Sequence, residues 1–216
     1  ACNVFIGQYT GYTWTATTNN IVIGNRAGAC GADPGVGANN IYMGHYSGKS
    51  ATGTHNTFIG SYKTGCLVTT GSKNILMGPY AGKGNSSSGG TGEENIFIGY
   101  YAGRDWTSAT DNVIIGSHAG NGITTGNCNI ILGQEAGKST AGSGTNNTIL
   151  GCKAQQCFTS GSNNVSIGPT AGNTLTTGCC NVLIGVNAGY SLDETLCNVM
   201  IGRCAGYSTV AGTSCC

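Results

Sequence analysis

Charge is what this sequence has least of. Asp, Glu, Lys and Arg make up 8% of its 216 residues and leave a net charge of +1. A soluble surface normally carries roughly 25–35% of such residues. No basic patch stands out, which argues against an electrostatic nucleic-acid interface. No apolar run approaches the length of a membrane span, and no window keeps the 3.6-residue apolar period of a helix. There is no Walker loop, no nucleophile elbow, no CxxC pair and no GGxGxD calcium run. These absences point to a chain with no catalytic residues, no cofactor and no metal site.

Repetition is what the sequence has in abundance. Asn112-Val113-Ile114-Ile115-Gly116-Ser117-His118-Ala119-Gly120 is the clearest unit. The 12 copies open at Asn3, Asn20, Asn40, Asn56, Asn74, Asn95, Asn112, Asn129, Asn147, Asn164, Asn181 and Asn198, at spacings of 16–21 residues. A glycine follows four residues after every one of these asparagines, and most copies have a second glycine four further on. The fourth copy has Thr64 there and the ninth Gln155.

Such a unit is too short for two packed helices, which need about 33 residues or more. Its β-branched and aromatic triplets, punctuated by Gly and Asn, suit short strands joined by tight turns. The pattern predicts an all-β chain, a β-solenoid of about twelve short coils that forms a single domain over 1–216. At a rung spacing of about 4.8 Å, twelve coils make a rod roughly 55–60 Å long. Asn112, Gly116 and Gly120 and their equivalents are read as architectural. The Asn serves a turn or stacks as a ladder, the Gly supplies backbone freedom, and the Ala before the second Gly fits a tight interior. Two units are lengthened, over Ala29–Ala38 and Gly84–Glu94, and these insertions belong in surface loops.

Alternation along a strand is read as placing the first and third residues of each triplet inside and the middle one outside. The middle residues, Phe5 through Met200, are all apolar except Ser166. That arrangement predicts a long apolar stripe that another copy of the chain must cover. A slender rod with so little charge points the same way. The ends carry further expectations. Ala1-Cys2-Asn3, without a starting Met, reads as a processed chain. The repeat is in step at both ends, and Asn198 to the Asn3 of a following copy would span 21 residues, within the observed spacing. Head-to-tail stacking into an open filament is therefore expected.

The 12 cysteines suggest an oxidising, extracellular setting. Cys180 and Cys197 both precede a unit-opening Asn in adjacent coils, at a separation a disulfide can bridge, with Cys179 competing for the same partner. Cys2, Cys215 and Cys216 would meet at a head-to-tail junction. The histidines His45, His55 and His118 fall at different places in the repeat, which argues against zinc. The carboxylate pairs Glu93-Glu94 and Asp193-Glu194 lack a neighbouring nucleophile pattern. Asn85, Asn146 and Asn164 head glycosylation sequons, with Asn85 the best candidate because it lies in a long loop. The Thr-Thr pairs do not form the continuous array that an ice-binding face needs.

The unit N-[VIT]-x-[ILM]-G-x-x-A-G resembles the head repeats of YadA-like trimeric autotransporter adhesins, and also repeats of tail-fibre-type proteins. The resemblance covers all 12 units. It implies parallel β-rolls associated as trimers and an adhesive role. Two functions are therefore carried forward. One is a structural subunit of an extracellular filament or fibre, self-associating and disulfide-stabilised, on a cell or virion surface or secreted. The other is an adhesin or fibre head whose long loops hold a receptor or glycan.

Overall fold

The computed structural model describes residues 2–14, 17–29 and 37–208. In chain order its strands are β1 (Val4–Ile6), β2 (Ile21–Ile23), β3 (Ile41–His45), β4 (Thr57–Tyr62), β5 (Ile75–Met77) and β6 (Ile96–Ile98). They continue as β7 (Val113–Ile115), β8 (Ile130–Leu132), β9 (Thr148–Leu150), β10 (Val165–Ile167), β11 (Val182–Ile184) and β12 (Val199–Ile201). Each strand pairs in parallel with the next, so one 12-stranded sheet runs in chain order. Parallel neighbours need a crossover of a dozen or so residues, and the remainder of each repeat is that crossover. The chain is thus an all-β solenoid with one strand per coil, as the repeat predicts. The register shifts once, between Met43 and His45 where β3 meets β4.

The repeat residues are the corners. Gly116, which ends β7, has φ +137°, and a Cβ there would lie 2.6 Å from the Gly133 carbonyl oxygen of the next coil. No side chain fits. Two residues later the chain turns through the left-handed region at His118, φ 58°, and it does so again at Asp111, φ 57°, just before Asn112. Both corners recur along the rod at residues with side chains, from Tyr9 to Cys204 and from Asn19 to Cys197. Each costs about 1–2 kcal/mol in an L-residue, so hydrogen bonds between coils must hold them.

The unit-opening asparagines form those bonds. Asn112 is fully buried. Its Oδ1 accepts from the Asn129 backbone N–H at 2.9 Å and from Asn129 Nδ2 at 3.0 Å. Its own Nδ2 donates to Asn95 Oδ1 at 3.0 Å, to the Thr110 carbonyl at 2.9 Å and to the Gly126 carbonyl at 2.9 Å. The backbone link recurs from Asn3 and Asn20 to Asn181 and Asn198. Both roles open to Asn are used: the side chain bonds the backbone two residues back and stacks in a buried ladder.

The interior corrects one expectation. The middle residue of each triplet points in, not out: Val22, Tyr42, Phe58, Leu76, Phe97 and Ile114 are all fully buried. Asn and the middle residue are two apart, so a buried Asn puts the middle residue on the same side. The small residues beside them are Ala27, Ala81, Ala102 and Ala119, also fully buried. The facing wall comes from a residue three after the second glycine, including Val68, Trp106, Ile123, Phe158, Leu175 and Leu192. Where one coil offers only glycine on this wall, its neighbour fills the space. Trp106 lies over Gly90 and Gly92, and its Nε1 donates to the Gly82 carbonyl at 2.9 Å. The core nevertheless splits in two, one cluster from Val22 to Phe158 and another from Leu175 to Met200. Gln155 and Ser166, two polar departures from the repeat, lie between them. Both are fully buried and 3.4 Å apart through Ser166 Oγ and Gln155 Oε1.

Candidate functional site

The face of the sheet turned away from the core is built from the first and third residues of each triplet. Every one of these positions is Val, Ile, Leu or Met except Thr57 and Thr148. They were expected inside. They instead form two outward columns that run the whole sheet, half-buried by their neighbours above and below and otherwise open. Ile21, Ile75, Ile115 and Ile130 are exposed along the face. Exposure rises at the ends, to 57% for Ile6 and 66% for Ile201, because β1 and β12 each pair on one side only. Among the described residues both are open edges of a parallel ladder, aimed in opposite directions.

A strip about 55 Å long and 12–13 Å wide, two side-chain columns at strand geometry, covers on the order of 700 Å². The largest apolar patch on a typical monomer is about 300–600 Å². The columns carry no charged residue. The sequence signal for this face was already present: the triplets are apolar at all three positions, so whichever parity lies inside, the other leaves an apolar surface outside.

The other predicted residues fall as follows. Asn112, Gly116 and Gly120 are ladder and corner residues, as described. Cys180 and Cys197 are neighbours across one rung, both left-handed and both free thiols. Partial desolvation pushes the Cys180 thiol up, and the adjacent Cys197 and Cys179 and a hydrogen bond to Cys197 add to the rise. Their equal offsets thus do bring the two thiols together on adjacent coils. Cys2 is an exposed free thiol beside β1, whereas Cys215 and Cys216 lie outside the described residues. So does most of the Ala29–Ala38 insertion.

In the other insertion Ser86–Ser88 is exposed, and the Asn85 side chain accepts from the Ser87 N–H at 2.8 Å. Asn146 is exposed. Asn164 cannot carry a glycan in this fold, because its Nδ2 is buried and donates to Asn147 and to the Gly178 carbonyl. Glu93, Glu94 and Asp111 border one shallow depression. Lys73 holds Glu94 by a hydrogen bond and ion pair at 2.6 Å, which lowers the Glu94 pKa.

Comparison of the chain with protein-family models, with curated proteins and with solved structures returns no match. The functional reading thus stands on geometry. No helix among the described residues is long and apolar enough to cross a membrane.

Proposed function

We propose that this chain is a structural subunit of an extracellular filament or fibre that assembles with copies of itself. The observation that carries the reading is the pair of uncharged columns on the outer sheet face, aliphatic at every position but Thr57 and Thr148. Joining two such faces buries about 1,400 Å² in total, within the range of stable specific interfaces. At about 25 cal/mol per Å² the apolar contribution is large enough to drive association after its entropic costs. A second copy is the fitting occupant, because its face has the same rung spacing and the same absence of charge. Three-fold packing of such faces is the arrangement implied by the resemblance to adhesin heads. The open edges of β1 and β12 add an axial route. An edge of one copy extends the parallel ladder of the next by translation, a contact that does not close and so grows. A disulfide between Cys180 and Cys197, formed as an oxidant removes one hydrogen from each thiol, would clamp adjacent coils within a subunit.

Electron microscopy and sedimentation of the native chain test this reading, alongside Ile115→Lys and Ile130→Lys combined. Both side chains are exposed, so the variant is expected to fold. The native chain should form bundled filaments or defined oligomers, and the variant should fall back to single rods. A native chain that stays monomeric at tens of micromolar overturns the structural role. Short discrete oligomers that never lengthen favour a fibre head with binding loops instead.

A further inference from the structure

One edge of the rod, where the chain leaves each strand, concentrates aromatic rings and cations. From the first coil to the seventh it carries Tyr9, Tyr46, Tyr62, Tyr80, Tyr101 and His118 in a row. Adjacent rings touch: Tyr46 and Tyr62 are 6.3 Å apart between centroids, Tyr62 and Tyr80 5.3 Å, Tyr80 and Tyr101 4.7 Å, and Tyr101 and His118 5.2 Å. The gap left by the second coil is filled by Arg26, whose guanidinium lies 5.6 Å from both Tyr9 and Tyr46. Arg26 Nη1 also donates to the Tyr46 hydroxyl at 2.7 Å.

Cations accompany the rings at one per coil. Arg26, Lys49, Lys63, Lys83 and Arg104 occupy the second to sixth coils in succession. Lys49 lies 5.5 Å from the Tyr46 ring centre, Lys63 4.9 Å from Tyr62, and Arg104 4.8 Å from Tyr101. Arg104 is matched by Asp105 at 2.8 Å. Among the described residues none of the other four has a carboxylate partner. Two depressions on this edge share Lys49. One, of about 380 Å³, is lined by Lys49, Lys63 and Lys83 with Tyr46 and Tyr62, and the other, of about 230 Å³, by Tyr9, Tyr12 and Arg26. Cys66 sits among the lysines but adds no opposing charge, because burial pushes its thiol up.

We propose that this edge binds an anionic polysaccharide laid along the rod axis. One cation per coil from the second to the sixth, set beside a column of tyrosine rings on one edge, matches a linear polymer with repeated acidic groups and hydroxyls between them. Charge-assisted hydrogen bonds from lysine and arginine recognise its carboxylates or sulfates, and the long side chains adapt to local spacing. A lipid surface is a poorer fit, since the cations are confined to one narrow edge of the rod. Single-stranded nucleic acid is also a poorer fit. Base stacking needs an open ring face or a gap of about 7 Å, twice the ring contact distance. The Tyr80 and Tyr101 rings lie against each other at an interplanar angle of 4°. The proposal is independent of self-assembly, because the outer sheet face contributes none of these residues.

The test is a binding titration of the whole chain with four probes of similar length: polygalacturonate, dextran sulfate, neutral dextran and poly(dT). Binding to one or both acidic glycans is expected, weakening as salt rises, with neutral dextran silent. The relative affinities of polygalacturonate and dextran sulfate separate carboxylate from sulfate. Lys49→Gln, Lys63→Gln and Lys83→Gln combined should reduce that affinity at least about tenfold, several charge-assisted contacts being lost. Thermal unfolding should be unchanged, because these side chains are only half-buried. The control combines Lys73→Gln, Lys138→Gln and Lys153→Gln, which removes the same charge elsewhere and should leave affinity intact. Equal loss in the control, equal binding of neutral dextran, or tighter binding of poly(dT) overturns the proposal.

Discussion

The rod up to Phe158 and the rod beyond it share one backbone design and differ in their filling. The first stretch has a continuous core with large aromatic members, Tyr42, Phe58, Phe97 and Trp106. The second has a small aliphatic core of its own, Leu175, Leu183, Ala188, Leu192 and Met200. The asparagine ladder crosses the boundary without a break, from Asn147 to Asn164 at 2.9 Å and from Asn164 to Asn181 at 3.0 Å. Coil path and coil stability are therefore set by different residues. The ladder dictates where the chain goes, and the apolar filling dictates how strongly each coil adheres to the next, as expected when a repeat array is stabilised by nearest-neighbour interfaces. The edges differ too. Tyrosines and cations line it up to His118, whereas Glu135, Lys153, Thr170, Asn187 and Cys204 hold the same corner afterwards.

Breaking the shared element should have the largest effect. Asn112→Ala leaves the buried Asn129 backbone N–H and the buried Gly126 carbonyl without their partners and removes three further side-chain bonds of the ladder. It should cost at least about 4 kcal/mol by chemical denaturation. Asn181→Ala, in the second stretch, should expose only the terminal coils to hydrogen exchange while the first stretch stays protected. Equal loss of protection throughout would show that the two cores behave as one.

Joining the cores is the next test. Gln155 Nε2 is buried without a hydrogen-bond partner, and the residue is left-handed at φ 46°. Gln155→Gly restores the repeat glycine, and Ser166→Leu fills the space with an apolar side chain. The double variant should gain about 2 kcal/mol, from removal of an unsatisfied buried amide and from apolar burial. The second stretch should then exchange as slowly as the first. Either change alone should gain less, because each leaves its partner unpaired or a cavity behind.

The smallest effect concerns the corners. Lys153 adopts φ 57° with an exposed side chain. Lys153→Gly removes the left-handed penalty, and the greater freedom of glycine in the unfolded chain offsets part of the gain. A rise of up to about 1 kcal/mol is expected by thermal unfolding.

Much of this was legible in the residues. The repeat located all twelve strands, because no other element satisfies an apolar triplet closed by Asn and Gly every 16–21 residues. It also placed Cys180 over Cys197, since equal offsets in adjacent coils must lie one rung apart. The aromatic edge was harder to see. Its rings all lie six residues after their unit-opening Asn, so the same offset rule aligns them, but the residue type at that position changes along the chain, from Tyr9 and Arg26 to Glu135 and Cys204, and so does not read as a repeat.

The sequence by itself determined the architecture, the number of coils and the corner chemistry. It did not determine which side of the strand faces inward. A one-residue change of parity is normally decided by alternating apolar and polar residues, and triplets such as Ile96-Phe97-Ile98 are apolar throughout. The tertiary structure decided it through the ladder. Asn95 must be buried to bond Asn74 and Asn112, the backbone then alternates, and Phe97 follows it into a coil too narrow for two large columns from one strand. Ile96 and Ile98 are left outside, on the face that a second copy would cover.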